Sequence, residues 1–239
     1  MKYLYFDEID STNSYLKREY KNLDDMTLVH AGHQTAGKGR RGRKWEDDKD
    51  SLMFSILIKK NIDSGRAELL PLLCGVSLYS LLEENDIQAS IKWPNDVLIQ
   101  DRKCAGILLE AVTTDRIEAL ILGIGINVNN AFFPEDIRNK AISLLQIAGH
   151  GFDKKEILNQ FVSQFEKYYD SYLKKEDSFL DVLQSHSYLD GKEVLLDYYG
   201  ENRHGKVLGI SPDGSLLISE NGKEIKITSG EVTLEHNYH

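Results

Sequence analysis

Four apolar runs succeed one another between residues 88 and 128: QASIKW, DVLIQ, KCAGILLEAV and RIEALILGIGINV. Their β-compatible residues and short polar breaks, QDRK among them, read as hairpins in a mainly antiparallel sheet. Earlier in the chain YLYFDEI, TLVHAG and SLMFSILIKK read as three further strands, the last of them buried. Asp10, Ser11, Thr12 and Asn13 end the first of these and can cap a helix over SYLKREY by accepting its unpaired amide hydrogens. Two longer helices are expected. One spans residues 66 to 85, with Leu69, Leu73, Val76, Leu78 and Leu82 buried and Pro71 near its start. The other spans about 153 to 175 and carries Ile157, Phe161, Phe165, Tyr168 and Tyr172 along one core-facing stripe.

After Asp190 the texture changes. GKEVLLDYY, HGKVLGI, SLLIS and KEIKI are short strands separated by GEN, SPDG and ENGK turns, with no helical stretch among them. An α/β chain in two parts is expected, 1–187 and a small β-barrel module over 188–239, and a length of 239 residues suits that division.

Acidic residues outnumber basic ones 38 to 29, a formal net charge of −9, which argues against the broad basic face that general polyanion binding needs. Cys74 and Cys104 lie in apolar surroundings without a CxxC spacing, as expected of reduced thiols in a cytoplasmic protein. The N-terminal MKYLYFDEIDSTN has no stretch apolar enough for a signal peptide, and no run approaches the ~18 apolar residues of a membrane span. His30 and His33 lie close together, and no cysteine or acidic partner beside them completes a metal set.

Against this background residues 31–45, AGHQTAGKGRRGRKW, gather Lys38, Arg40, Arg41, Arg43 and Lys44 among Gly37, Gly39 and Gly42. GKGRRG fits GxGxxG, but the dinucleotide fingerprint needs a helix to begin at its last glycine. Here Arg43-Lys44-Trp45-Glu46-Asp47-Asp48 follows, then a strand. The P-loop pattern fails too, because Arg43 stands where its lysine belongs and Lys44 is neither Ser nor Thr. A nucleic-acid patch would have the cations and Trp45 but no surrounding basic field. Mutual repulsion and the entropy of ordering glycines imply a segment without fixed structure until a small anion arrives, such as a triphosphate or a carboxylate.

A second constellation lies in IKWPNDVLIQDRKCAG (91–106). Lys92, Trp93, Pro94, Asn95 and Asp96 stand at one strand end, and Lys103 begins the next strand. Pro94 denies a ladder donor, so the Asn-Asp pair sits at a sheet boundary. Alone, Asn95-Asp96 reads as a turn and Lys103 as surface. GIGINVNN (123–130) ends a further strand on glycines and Asn127.

STN at 11–13, QTAGKGRRGRKW, KWPNDV, DRKCAG and GIGINV, in this order over nearly the whole chain, resemble the biotin protein ligases. The resemblance implies a catalytic domain related to class II aminoacyl-tRNA synthetases, with a mixed or antiparallel sheet, followed by an SH3-like β-barrel. It implies that biotin and ATP form biotinyl-5′-AMP with release of pyrophosphate, and that biotin then passes to one lysine of a biotin carboxyl carrier protein. Mg2+ would accompany ATP. Ser11, Thr12, Asn13 and Gln34 would line the biotin pocket, where the ureido ring needs partners once buried. Lys38, Gly39 and Arg40 would belong to a loop closing on biotin and the adenylate, with Arg40 on the acyl phosphate. Arg43 would meet the triphosphate, and Trp45, Asn95 and Asn127 would belong to the ATP site. Lys103 would reach both the biotin carboxylate and the α-phosphate, and Asp96 would accept or orient the proton of the acceptor lysine.

Lys38 departs from the arginine common in bacterial members, although its backbone amide can still serve biotin. Some members carry an N-terminal helix-turn-helix; STN at residue 11 leaves no room for one, so no nucleic-acid partner is expected. Sheet edges of the fold can pair, which leaves a homodimer open. Lipoate or octanoate attachment is the nearest rival activity, and a non-catalytic biotin- or nucleotide-binding regulator is the rival from another class.

Overall fold

The computed structural model describes residues 1–45, 49–198 and 200–234. β1 (Lys2–Ile9) leads into α1 (Thr12–Glu19) through Ser11, whose backbone is extended and whose side chain accepts from the Ser14 amide. β2 (Thr27–Gln34) and β3 (Leu52–Ile58) precede α2 (Leu69–Glu84). Four strands follow: β4 (Ser90–Lys92), β5 (Asp96–Ile99), β6 (Arg102–Thr113) and β7 (Ile117–Ile126). Then come α3 (Leu144–Ala148), α4 (Lys154–Lys174) and α5 (Phe179–Ser185). The last strands are β8 (Glu193–Tyr198), β9 (Glu201–Ile210), β10 (Leu216–Glu220), β11 (Lys223–Ile227) and β12 (Glu231–Leu234).

The first seven strands form one mixed sheet, ordered β1-β2-β3-β7-β6-β5-β4. Only β1 and β2 run parallel, joined by the α1 crossover that a parallel pair requires; the other pairs are antiparallel, as the four apolar runs imply. β3 is buried at every position because both of its faces are covered. Phe54, Ile56 and Ile58 share the main core with α2 and α4, Phe54 meeting Phe161 edge to face at 4.9 Å, while Leu57 packs with Leu16 of α1. The connection after α5 covers the β4 edge, where Ile91 N donates to His186 O and Tyr188 N donates to Ile91 O.

The last five strands form a separate antiparallel sheet, ordered β11-β10-β9-β8-β12, around Val194, Leu196, Val207, Leu216, Ile218, Ile227 and Val232. Trp93, buried at 2% exposure, ties the two parts together by donating from Nε1 to Gly214 O at 2.9 Å. Gly214 sits at φ +84 and packs so closely on Leu69 and Leu72 that a Cβ would collide with both.

The sequence reading lacks α3, α5 and β12, which are five, seven and four residues long and too short for an apolar period to declare itself. Residues 46–48, 199 and 235–239, which the reading placed in the basic segment's exit, in GKEVLLDYY and in the barrel module, lie outside the described residues. No helix among the described residues is long and apolar enough to cross a membrane.

Candidate active site

The N-terminus of α1, the end of β2 and the middles of β3, β6 and β7 line a small cleft. Ser11, Thr12, Asn13 and Gln34 all line it. Thr12, Asn13 and Gln34 belong to one buried network: Gln34 Oε1 accepts from Thr12 N at 2.7 Å and Thr12 Oγ1 at 3.1 Å. Thr12 Oγ1 meets Ser55 Oγ at 2.6 Å, and Ser55 Oγ donates to Asn13 Oδ1 at 2.5 Å. Asn13 Nδ2 donates to Glu110 Oε2 at 2.9 Å, and Lys17 pairs with the other oxygen. Burial raises the Glu110 carboxyl, but the Lys17 and Asn13 donors outweigh it and hold the group below the usual carboxylate range.

Sequence reasoning missed Ser55 and Glu110. The signal for Ser55 was a polar residue at the centre of the apolar strand SLMFSILI; for Glu110 there was none. Gly123 makes the floor possible, because a Cβ there would collide with the Asn13 amide.

Lys103 reaches the cleft through an irregularity. Side chains alternate along a strand, so Lys103 would share the core-facing side of Ala105 and Ile107. The β5–β6 register shifts between Val97 and Leu98, pairing Ala105 with Val97 and Lys103 with Leu98. The extra residue, Cys104, is buried with Ala105 in the core, and the shift turns Lys103 onto the face of Gly106. Gly106 and Gly125 are direct cross-strand partners, and Trp45 lies against both: a Cβ on Gly125 would collide with its indole. Lys103 Nζ stands 5.6 Å from the Trp45 ring centroid, and Trp45 Nε1, buried, has no hydrogen-bond partner among the described residues.

Trp45 and Lys103 also line a second cleft beside Asn127, Phe132 and Phe133. Phe132 is 87% exposed, an unusual position for so large an apolar ring. The Asn127 amide nitrogen is committed to the carbonyls of Lys103 and Ile142, each at 3.2 Å, so this residue braces the junction.

Within the basic segment Lys38 and Lys44 form a β-bridge, Gly39 N donates to Arg43 O, and Arg40–Gly42 make a single tight turn. Carboxylates of the second sheet supply the countercharge, Asp197 beside Arg41 and Glu231 beside Arg43 at 2.7 Å. Lys38 is exposed at the rim, and Gly39 and Arg40 line the first cleft. Arg40 donates to Asn95 Oδ1 at 3.0 Å and Gly230 O at 3.3 Å. Burial lowers its pKa and Asp96 opposes that shift. Asn95 Nδ2 donates to Ile107 O, so both ends of this amide are spent on positioning Arg40 over the cleft.

A third cleft runs between the segment, the WPND turn and β12. Arg40, Arg43, Lys44, Lys92 and Lys103 line it against Asp96 and Glu231. Arg43 faces this cleft and lines neither of the other two. Lys92 and Lys44, to which the sequence assigned no role, belong to it. Burial lowers the Lys92 pKa, with Asp96 opposing. Lys103 Nζ lies 2.7 Å from Asp96 Oδ1, in contact without hydrogen-bond alignment. Among the described residues no group of three or more His, Cys, Asp or Glu side chains could hold a metal.

Residues 5–127 match the Biotin/lipoate A/B protein ligase family, and residues 191–234 match the Biotin protein ligase C terminal domain. The Bifunctional ligase/repressor BirA of Bacillus subtilis (strain 168) is 34% identical over 97% of this chain and 73% of its own length. The biotin–[acetyl-CoA-carboxylase] ligase of Mycobacterium tuberculosis is 27% identical over 88% of this chain and 79% of its own. The solved biotin protein ligase from Aquifex aeolicus in complex with biotin and ATP is 36% identical, with a TM-score of 0.86 over 98% of both chains.

Proposed function

This chain belongs to the biotin/lipoate A/B protein ligase family, and from that premise we propose how its residues divide the work. The activity is that of a biotin protein ligase. Biotin and ATP give biotinyl-5′-AMP and pyrophosphate, and biotin then passes to a lysine of a carboxyl carrier protein. The observation that carries the assignment of parts is the shared wall of Lys103 and Trp45 between two clefts, with Arg40 over the first.

The first cleft takes biotin. Ser11, Thr12, Asn13 and Gln34 present donors and acceptors to the ureido ring, while Met53, Phe54 and Ile124 offer apolar wall. The second takes the adenine ring, with Trp45 and Phe132 as the aromatic surfaces. The third takes the triphosphate among Arg43, Lys44 and Lys92. The reacting groups, a carboxylate oxygen and the α-phosphorus, are both anionic, and the barrier falls when fixed cations stand where they meet. Lys103 and Arg40 are those cations, and pyrophosphate leaves along the third cleft.

In the second step the acceptor lysine attacks the acyl carbon, AMP departs, and Asp96 takes or directs the proton. Lys103 moves from Asp96 to the phosphate when ATP binds, which frees that carboxylate for the task. Among the described residues no carboxylate cluster could hold magnesium, and Asp96 and Glu231 are each paired with a cation. Mg2+ would enter with ATP and supply countercharge to its phosphates, and none of the described residues is assigned to it.

A cytoplasmic setting fits two buried free thiols, of which Cys104 is pushed up to about 12 by burial. Operator binding forms no part of the reading for these residues, and their net charge of −9 opposes it. An edge-to-edge homodimer is the oligomer the sheet allows, which sedimentation separates from a monomer. The test of the substrate is pyrophosphate release with Mg-ATP and biotin, lipoate or octanoate in turn. Release with biotin alone is expected; release with lipoate or octanoate alone contradicts the assignment.

A further inference from the structure

Arg41 belongs to the lid but lines none of the three clefts. Its backbone is left-handed, at φ 55 and ψ 35, a conformation unfavourable for an L-residue that needs support from elsewhere. That support lies in the second sheet. Arg41 Nη1 meets the Asp197 carboxylate on β8 and reaches Glu231 Oε2 on β12 at 3.5 Å, while Nη2 reaches Asp197 O at 3.4 Å.

Asp197 and Glu231 stand directly opposite each other in the β8–β12 register. Like charges so placed destabilise a strand pair, and a guanidinium between them reverses the effect. Gly230 brings β12 close: a Cβ there would stand 3.0 Å from Asp197 O, and its carbonyl accepts from Arg40. Lid and second sheet are thus joined at Gly230, at Glu231 and, across the ladder, at Asp197.

We propose that Asp197, acting through Arg41, is a positioning residue that keeps Arg40 over the acyl-adenylate and so prevents its escape. Glu231 cannot serve alone, because it also pairs with Arg43, the cation assigned to the triphosphate. Asp197 holds the lid while Arg43 exchanges Glu231 for the nucleotide and takes it back when pyrophosphate leaves. The inference rests on the function proposed above, in which Arg40 is a fixed cation over the first cleft.

The test is release of biotinyl-5′-AMP from enzyme loaded with biotin and Mg-ATP, read as biotin appearing on an unrelated lysine-rich protein. An exposed ion pair contributes modestly, so Asp197→Ala and Arg41→Ala should each release about five-fold faster at most. Asp197→Glu should hold the intermediate as well as the wild type, with the biotin KM unchanged throughout. Raising the salt should speed wild-type release toward that of Asp197→Ala, because the bridging charges are exposed to screening. Release from Asp197→Ala at the wild-type rate overturns the proposal, as does equal leakage from Asp197→Ala and Asp197→Glu. A wild type that forms no adenylate overturns the assigned function with it, whereas a wild type that labels the carrier while Asp197→Ala leaks no faster counts against the latch alone.

Discussion

The floor and the lid of the first cleft are held by different forces. Thr12, Asn13, Gln34 and Ser55 are buried and joined by hydrogen bonds of 2.5 to 3.1 Å, on elements packed from both sides. Arg41 and Arg43 are exposed and bound to a different sheet by ion pairs that water and salt weaken. A buried network that loses one partner leaves a desolvated group behind, at about 1–3 kcal/mol, whereas an exposed pair forfeits far less. The floor is therefore preorganised for a ligand of fixed shape, and the lid for a ligand that must enter, react and leave.

Substitutions can break or sharpen this contrast. Lys103→Ala, at the junction of both, should show the largest effect: adenylate synthesis down about 100- to 1,000-fold, the loss typical of a donor that stabilises developing charge. Its Tm should stay within about a degree or two, since a partly exposed lysine adds little stability. Wild-type rates from this variant would remove Lys103 from the chemistry. Arg40→Gly strikes the lid. It loses the contacts to Asn95 and Gly230, so biotinyl-adenylate should escape and label bystander lysines, while biotin itself still binds. Labelling confined to the carrier lysine would refute the retention role.

Gly123→Ala strikes the floor, where the added methyl displaces Asn13. Overpacking of this kind costs about 1–3 kcal/mol, so biotin affinity measured by calorimetry should fall about ten-fold or more with the ATP KM unchanged. The smallest effect is expected from Ser55→Ala, a rise of several-fold in the biotin KM as Thr12 and Asn13 lose their shared partner. If either floor variant leaked intermediate instead of losing biotin, the separation of floor from lid would fail.

The regular parts of this arrangement are legible in the sequence because periodicity records them. The hairpins β4–β7, the caps at Ser11 and the apolar stripe of α4 follow from residue order alone. The cleft residues of the STN, GKGRRG and KWPND motifs were legible through resemblance, and ten of the residues named from the sequence line the first cleft: Ser11, Thr12, Asn13, Gln34, Lys38, Gly39, Arg40, Trp45, Asn95 and Lys103. Contacts between distant segments left no such record. The register shift that aims Lys103 depends on how β5 meets β6, and Glu110 joins Asn13 across 97 positions. The countercharge of the basic segment was missed for the same reason. Local repulsion among its cations is visible in the sequence, but the carboxylates that quench it arrive from positions 197 and 231.

The central claim is that these clefts join biotin to a protein lysine at the expense of ATP. Its most direct test is the mass of a biotin carboxyl carrier domain after incubation with the enzyme, biotin and Mg-ATP. The expected result is a gain of one biotin in amide linkage, dependent on ATP and absent with Lys103→Ala. An unchanged carrier mass with folded wild-type enzyme, or a gain only when lipoate or octanoate replaces biotin, would contradict the account.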